Sequence, residues 1–499
     1  MKCLKLQMIF TIGTCLIPSL YKTAPIDYNN TRNRSININN KNYNNNNNNN
    51  NKDVVVHKTT NGNSYDYNKV LNLSLLFYEA QRSGYIHNNT RISWRSDSGL
   101  NDRGQHGEDL IGGYYDAGDF VKFGFTMVFT TTMLAWGLLS YKDAYTDAGQ
   151  YKECLNALKW ATDYFIKCHV SPNEFYGQIG DFQLDHKYWG RPEDMNLSRP
   201  AFKIDADHPG SDLAGEAAAA MASVSLVFKD IDDNYSQILK KHAIELYDFA
   251  INHRGLFHQS IPSATQYYES TGYADELIWA ALWLFKATNE SKYLDEAEIN
   301  YRKFRLQERP NDFFYDKKVA GVQVLLAQLT YDEEYRKAAQ AFCDHTVDNQ
   351  KRTPKGLVFI DNEGTLSHAA NVAFVCLQAA DVGISPRKYR DFAKQQINYM
   401  LGDTGRSFVV GFGENYPKQP THAASSCPDP PEPCDWSAYK SNASNPHILY
   451  GALVSGPNEN DDYVDLREEH IYNEVTLEFN AGFQSAVAGL RHLQLINYL

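Results

Sequence analysis

A series of long amphipathic segments, which begins near residue 66 and continues to the C-terminus, constrains the fold of this chain more than any other feature. Apolar residues recur in each segment with the period of an α-helix. About twelve segments are present, and Ala-rich segments with small apolar faces alternate with more charged ones. The alternation predicts inner and outer helices that close into a double ring, an all-α toroid. The alternative, a solenoid of helical repeats, would need a fixed repeat period, and none is visible.

Long loops rich in Gly, Pro, Trp and Asp separate many of these segments. They cover residues 88–124, 169–211, 254–272 and 402–473. Loops of this length in a compact domain usually have a function. We expect them to open on one end of the ring and to form a cleft there.

The N-terminal part of the chain predicts a secretory signal followed by a polar spacer. Lys2 and Lys5 precede the apolar stretch Leu6–Ile17, and a proline and a small residue follow it, which is the order of a signal peptide. The stretch is too short to span a membrane, and the Asn-rich residues after it cannot bury apolar area. We therefore predict a secreted protein without a membrane anchor, with a signal peptide over 1–20, an Asn-rich disordered segment over 21–65 and one helical domain over 66–499.

Charge and cysteine spacing argue against two kinds of site. The chain has 48 basic and 60 acidic side chains, a net charge of −12 and no long basic run, which argues against nucleic-acid binding. Outside the signal, only Cys427 and Cys434 lie close together, around the proline-rich loop CPDPPEPC. We predict a disulfide between them. A zinc site would need further Cys or His at nearby ligand spacing, which this loop lacks.

The loop stretch GGYYDAGDF, residues 112–120, places Asp116 and Asp119 three positions apart. Two carboxylates on one tight turn can both accept hydrogen bonds from a single water molecule and hold it for attack. Lys122, just behind, would ease the repulsion between them. The alternative is that one aspartate caps the helix that starts near Phe125. The stretch by itself leaves both interpretations open.

A second group of acids lies in DDYVDLREEHIYNEVTLEFNAGF, residues 461–483, directly before the last predicted helix. Glu474 lies where that helix starts. A glutamate buried beside other acids has a raised pKa and keeps its proton, as a general acid requires. The alternative is a capping glutamate in a solvated loop, which suits Glu468 and Glu469. Together the two segments carry the groups that hydrolysis of a glycosidic bond needs, a proton donor and a carboxylate that activates water.

These stretches resemble the family 9 glycoside hydrolases, most of which are endo-β-1,4-glucanases. The resemblance covers about residues 66–497. Its motifs occur in the family's order: LLFYEAQRSG, GGYYDAGDFVKF, RPEDM, PGSDLAGEAAAAMA, GYADELIWAALWL, FVVGFGENYP and NEVTLEFNAGF. The resemblance implies an (α/α)6 barrel and a monomeric enzyme that cuts β-1,4-glucans such as cellulose with inversion of configuration.

The resemblance also assigns catalytic roles, position by position. Asp119 corresponds to the catalytic base, and Asp116 to its partner in holding the water. Glu474 corresponds to the general acid. Asp465 falls at the aspartate of the signature around that acid, and His470 stands where an aromatic residue is expected five positions later.

The resemblance further implies a structural calcium site and no cofactor for the chemistry itself. Some members bind Ca²⁺ through SGYxDE and a later aspartate. The matching positions are Thr271 and Gly272, through backbone oxygens, and Asp275, Glu276 and Asp316. Hard oxygen ligands grouped in this way suit calcium.

The surface that would bind the sugar departs from the family at several positions. His208 and Tyr267 match cleft residues near the cut, whereas Tyr315 replaces a usual tryptophan. The usual His-x-Arg is absent, because Thr421 and Ala423 stand in its place. His422 lies between them and is predicted to substitute for the missing side chains after a small loop shift. Asn362-Glu363-Gly364 also lacks the tryptophan that is common there.

These departures keep a second hypothesis open beside the endoglucanase. The chain could be a cell-wall or coat glucan-binding protein of the same fold with weakened catalysis. The retained Asp116, Asp119 and Glu474 oppose this alternative. A polysaccharide lyase on a similar toroid would act on acidic sugars and need a basic cleft, which the net charge of −12 disfavours.

Overall fold

The computed structural model describes residues 65–86 and 90–499, and within them twelve helices are 12 residues long or longer. Each coincides with a segment predicted from periodicity. The predicted signal peptide and residues 21–64 lie outside the described residues. In chain order the helices are α1 Tyr67–Ala80, α2 Gly124–Ser140, α3 Tyr151–Cys168, α4 Ser211–Phe228, α5 Asp233–Asn252, α6 Ala274–Thr288, α7 Ser291–Lys303, α8 Val319–Thr330, α9 Glu333–Asp348, α10 Thr365–Asp381, α11 Pro386–Asn398 and α12 Leu477–Leu495.

The even-numbered helices form the inner ring of the predicted double ring. In α4, α10 and α12 nearly every residue is buried, whereas α5, α7 and α9 keep exposed charged faces. A helix that neighbours surround needs such an apolar surface on all sides. Each inner helix contacts the next, and α12 contacts α2. The ring is therefore closed, and the predicted (α/α)6 barrel is confirmed.

Small residues allow the closing contact between α2 and α12. A side chain at Gly137 would place its Cβ 2.5 Å from Ser485 Oγ and 3.1 Å from Ser485 Cα. Atoms cannot approach so closely without displacement of one helix, because the core is already close-packed. Glycine at this position therefore sets the distance between the two helices.

Helix α4 is, among the described residues, the one helix long and apolar enough to cross a membrane. Its 18 residues have a mean hydropathy of 1.2, and 94% of them are buried inside the protein. Packing within the ring accounts for its apolar surface.

The predicted loops contain more regular structure than the sequence indicated. Four short strands form one antiparallel sheet, in which β3 pairs with the other three. The strands are β1 Lys122–Phe123, β2 His169–Ser171, β3 Glu174–Ile179 and β4 Ala201–Ile204. Strands of this length carry little periodicity, so the sequence predicts only a loop over 169–211. The shorter helical elements are Lys142–Asp147, Phe182–Asp185, Pro192–Asp194, Phe257–Ser260, Pro262–Ala264, Tyr399–Asp403, Ala423–Ser426, Trp436–Tyr439 and His470–Asn473.

Two disulfides lie in the described part of the chain. The predicted Cys427–Cys434 bond is confirmed, and a second bond joins Cys343 to Cys376, whose Cα atoms are 5.7 Å apart. The second bond links α9 to α10. Its cysteines are 33 positions apart in sequence. Only the packing of the two helices brings them together, so the sequence does not predict this bond.

Candidate active site

Three loop segments meet at one end of the ring and bring the predicted acids together. The tight turn that carries Asp116 and Asp119 packs against the segment at Thr421. A Cβ at Gly118 would lie 2.1 Å from the Thr421 carbonyl oxygen, so this close approach requires glycine. The backbone at Thr421 in turn runs beside Glu474 in a parallel bridge. The turn and the Glu474 segment, more than 350 positions apart in sequence, are thereby fixed against the same intervening loop.

Asp116 is the buried member of the aspartate pair. Its side chain is fully covered, and its two carboxylate oxygens accept hydrogen bonds from the Thr126 and Tyr268 hydroxyls. Burial raises the pKa of Asp116 to about 7, although these two hydrogen bonds lower it. Because both oxygens are held by donors on other elements, Asp116 has a fixed orientation at the base of the site.

Asp119 is the member of the pair that solvent reaches, with 22% of its side chain exposed. One of its oxygens lies 2.9 Å from His186 Nε2, and the other accepts the Val121 N–H at 3.2 Å. The Tyr267 hydroxyl lies 3.3 Å from the other ring nitrogen of His186. The hydrogen bond to Asp119 raises the pKa of His186. Asp119 is thus held in one orientation while its carboxylate still faces solvent.

Asp185 lies close to Asp119 and adds a third carboxyl group beside the aspartate pair. It is 3% exposed, and one of its oxygens accepts the Phe120 N–H at 3.2 Å. Burial, and secondly the nearby Asp119, raise the pKa of Asp185. Burial and the neighbouring carboxylate therefore both favour the neutral form of Asp185.

Glu474 is the acid with the raised pKa that the sequence analysis expected. It is partly buried and lies three positions before Leu477, the first residue of α12. Burial, followed by repulsion from Asp119, Asp116 and Glu363, raises the pKa of Glu474 to about 8. At neutral and acidic pH its carboxyl group is therefore mostly protonated, and it can donate a proton.

The structure places three other predicted residues away from the acids or behind them. Asp465 accepts the backbone N–H groups of Lys418 and Gln419 at 2.8 and 3.0 Å, which orients that loop. The His208 side chain is 68% exposed and lies 3.1 Å from Asp205. Tyr315 is in a layer behind the site, with its ring 5.2 Å from that of Tyr268. The histidine that contacts Asp119 is His186, not His208.

The structure does not place His422 in the cleft, contrary to the sequence prediction. The residue is 3% exposed. Its Nε2 lies 2.8 Å from Gln81 Oε1, and its Nδ1 accepts the Ser425 N–H at 3.0 Å. Both ring nitrogens therefore have partners inside the protein, and neither is free for a sugar hydroxyl. The Thr421 hydroxyl is also engaged, because it donates to the Arg467 carbonyl at 2.8 Å.

The residues predicted to hold calcium lie in one neighbourhood, around the start of α6. Asp316 accepts the N–H and the hydroxyl of Thr271 at 2.8 and 2.7 Å, and Asp275 accepts the Lys318 N–H at 2.6 Å. The Lys318 ammonium lies 3.0 Å from one oxygen of Glu276. The other oxygen, Oε2, is buried without a hydrogen-bond partner. This unpartnered oxygen and the oxygen-rich donor set fit a calcium ion.

Comparison with known proteins identifies the class of enzyme. The chain matches the family model described as "Glycosyl hydrolase family 9" over residues 67–487. It is 43% identical over 452 residues to Endoglucanase A of Bacillus pumilus, which covers 86% of this chain and 67% of that protein. The endoglucanase of the termite Nasutitermes takasagoensis superposes with a TM-score of 0.86 at 54% identity, over 86% of this chain and 100% of that one.

A second solved structure gives the same result. The cellulase Cel9M of C. cellulolyticum superposes with a TM-score of 0.80 at 32% identity, over 86% of this chain and 99% of that one. The fold and the comparisons together define a glycoside hydrolase. The chain belongs to glycosyl hydrolase family 9 and is an endoglucanase-type enzyme, so the hypothesis of a glucan-binding protein without activity is not favoured.

Several residues that shape the site are not predicted from the sequence. His186 and Asp185 lie in the stretch DHKYWGRPEDM, and Tyr268 follows the predicted Tyr267 directly. Glu478 is buried, and burial followed by Asp116 raises its pKa to about 8. His186 and Asp185 act on Asp119 from one loop, whereas Tyr268 and Glu478 act on Asp116 from two other segments. No local spacing in the sequence reveals these contacts.

Proposed function

We propose that this protein hydrolyses internal β-1,4-glucosidic bonds of cellulose-like glucans with inversion of configuration. The observation that carries the proposal is the pair formed by Asp119 and Glu474. Asp119 is a carboxylate open to solvent, and Glu474 is a carboxyl group whose pKa is raised to about 8. Glycoside hydrolysis requires one group of each kind, on opposite sides of the bond that is cut.

In the proposed mechanism, Glu474 donates its proton to the leaving glycosidic oxygen. Asp119 accepts a proton from a water molecule, which attacks the anomeric carbon from the opposite face. The hydrogen bond from His186 keeps the Asp119 carboxylate oriented, and the buried Asp116 supports the same turn from below. A single displacement of this kind inverts the anomeric configuration.

The proposed substrate is a neutral polymer of β-1,4-linked glucose. Solved structures of family 9 relatives include the C. cellulolyticum cellulase in complex with cellobiose and a Clostridium thermocellum endoglucanase with cellotriose. Tyr267, a residue that is 41% exposed and lies beside His186, offers an aromatic surface suited to a sugar. Release of reducing ends from carboxymethylcellulose, with a rapid fall in viscosity, would support the proposal. No release from any β-1,4-glucan would overturn it.

We further propose that the enzyme acts as a monomer. All the carboxyl groups of the proposed mechanism come from one chain, so a second copy is not needed to complete the site. Light scattering coupled to size exclusion should give the mass of one chain, and a stable dimer would contradict this part of the proposal.

The pH profile should fall on the alkaline side as Glu474 loses its proton. Its pKa is raised to about 8, so the protonated acid predominates below that pH and is lost above it. We expect kcat/KM to decline above about pH 8, by roughly tenfold per pH unit. Because Glu363 repels the ionised form of Glu474, Glu363→Gln should move this decline to lower pH. Glu334→Gln, on the outer helix α9, should not. A profile that is flat to pH 10 (about two units above the expected decline) would contradict the assignment.

We propose that a calcium ion at Asp275, Glu276 and Asp316 would stabilise the fold and take no part in the chemistry. At a free calcium concentration about 100 times the Kd, binding would add about 2.7 kcal/mol to the free energy of unfolding. The Tm should therefore rise when calcium is returned to chelator-treated protein, and Asp275→Asn should abolish the rise. An equal Tm with and without calcium would contradict the site.

We also propose that the protein is secreted, on the basis of its N-terminal sequence. Expression in a eukaryotic host should deliver it to the medium with the predicted signal over 1–20 removed. N-terminal sequencing of the extracellular protein tests this. Retention inside the cell with Met1 in place would contradict it.

A further inference from the structure

Two groups of three His, Asp or Glu side chains in the described part of the chain bring one ligand atom each within 4.8 Å of one another. One group, Asp119, Asp185 and His186, belongs to the active site. The other group consists of His169, His242 and Glu245, and the proposed catalytic mechanism makes no use of it. It joins two elements that are 73 positions apart in sequence.

The two histidines face each other through the same kind of ring nitrogen. His169 Nδ1 lies 2.7 Å from His242 Nδ1, and the rings are inclined by 66°. An N–H···N hydrogen bond can occupy this space only if one Nδ1 carries a proton and the other does not. When both nitrogens are unprotonated, two lone pairs point into the same small space, which is an arrangement that a cation stabilises.

Glu245 completes the group from the same helix as His242. The two residues are three positions apart on α5, so they lie on one helix face. The nearest cation to Glu245 is the ammonium group of Lys241, at 3.8 Å, and the Lys241 side chain is 74% exposed. An exposed ion pair of that length contributes little to stability, so the carboxylate is free to move onto an ion.

Both histidines are shielded from solvent to different degrees. His169 is 6% exposed, and His242 is partly buried on α5. A ring pair that the fold already holds together in this way needs little rearrangement to bind an ion.

We propose that His169, His242 and Glu245 form a binding site for a Zn²⁺ ion, with solvent completing its coordination. Two imidazoles and one carboxylate are a common zinc ligand set, whereas calcium prefers many oxygen ligands. Tetrahedral zinc with Zn–N bonds of about 2.0–2.1 Å holds two nitrogens roughly 3.3 Å apart. The histidine pair needs to open by only about 0.6 Å to reach that spacing.

The position of the site indicates a structural role. His169 is the first residue of β2 and pairs with Phe175 near the start of β3. The other end of β3 pairs with β1, which directly follows the turn that carries Asp116 and Asp119. An ion at His169 and His242 would link this sheet to the outer helix α5. We expect zinc to raise the Tm without changing kcat on the glucan.

Calorimetric titration with zinc chloride tests the proposal, on chelator-treated full-length protein in the presence of calcium. The wild-type protein should bind zinc at this site, and His242→Gln and Glu245→Gln should each weaken that binding by at least about tenfold. Both substitutions are at partly exposed positions, so the fold should tolerate them. His345→Gln, at a partly exposed histidine of α9, is the matched control and should bind zinc as the wild type does.

Cobalt gives a second readout that does not depend on stability. Co²⁺ bound to two nitrogens and an oxygen should give visible absorption bands in the wild type, and these should be absent from His242→Gln. Zinc that binds instead at Asp119, Asp185 and His186 would inhibit hydrolysis and would persist in His242→Gln. If all bound zinc behaves in that way, or if the wild type and His242→Gln bind zinc equally, the proposal is wrong.

Discussion

Glu474→Gln and Asp119→Asn should each lower kcat on polymeric glucan by about 10²–10⁴-fold. Glutamine has no proton to give to the leaving oxygen, and asparagine cannot accept one from the attacking water. Both changes keep the size of the side chain, so the Tm should change little. Initial rates of reducing-sugar release, measured with matched protein concentrations, give the result.

Asp116→Asn should retain more activity than either of these variants. Its carboxylate accepts hydrogen bonds from the Thr126 and Tyr268 hydroxyls, and an amide oxygen can still accept one of them. Asp119 alone can still take the proton from water. Glu469→Gln changes an exposed acid five positions before Glu474. It is the control and should leave kcat unchanged. If Glu474→Gln kept the wild-type kcat, the assignment of the general acid would be wrong.

Lys318→Met should destabilise the protein by about 3–5 kcal/mol, the usual cost of removing one partner from a buried ion pair. The Lys318 ammonium lies 3.0 Å from Glu276 and 3.5 Å from Glu216, and all three side chains are fully buried. Methionine fills a similar volume but leaves the buried Glu216 and Glu276 without their ammonium partner, and the use of chelator-treated protein keeps the proposed calcium ion from compensating. Chemical denaturation at pH 7 should show the loss, and the loss should shrink at low pH, where the carboxyl groups are neutral.

Two further variants separate the ion pair from general damage to the core. Lys317→Met, at the exposed neighbouring position, should leave the free energy of unfolding nearly unchanged. Lys318→Met combined with Glu276→Gln should recover part of the loss, because one of the unpaired charges is removed. If the double variant is as unstable as the sum of its two single changes, Lys318 does not act through Glu276.

The sequence was sufficient to predict the ring of helices because helical periodicity is a local property. Each of the twelve long helices, from Tyr67–Ala80 to Leu477–Leu495, repeats its apolar face over several turns. The strands of the small sheet have 2–6 residues, too few to repeat any pattern. The Cys343–Cys376 bond was missed for a related reason, since only the packing of α9 on α10 brings its sulfur atoms together.

The sequence predicts the site most accurately where the residues involved belong to one short motif. Asp116 and Asp119 share one turn, so their proximity follows from the sequence. The contact of His186 with Asp119 depends on how a separate loop folds back over the turn, and the sequence analysis gave a cleft role to His208 instead. For His422 the prediction was wrong in the other direction. Its position between the missing histidine and arginine suggested a sugar-binding side chain, but its ring is buried and contacts Gln81.

Proton NMR of the first product released from cellotetraose tests the central claim most directly. If Asp119 activates water and Glu474 protonates the leaving oxygen in a single displacement, the new reducing end appears first as the α-anomer and then mutarotates. Early accumulation of the β-anomer would show retention of configuration. It would contradict the roles assigned here to Asp119 and Glu474.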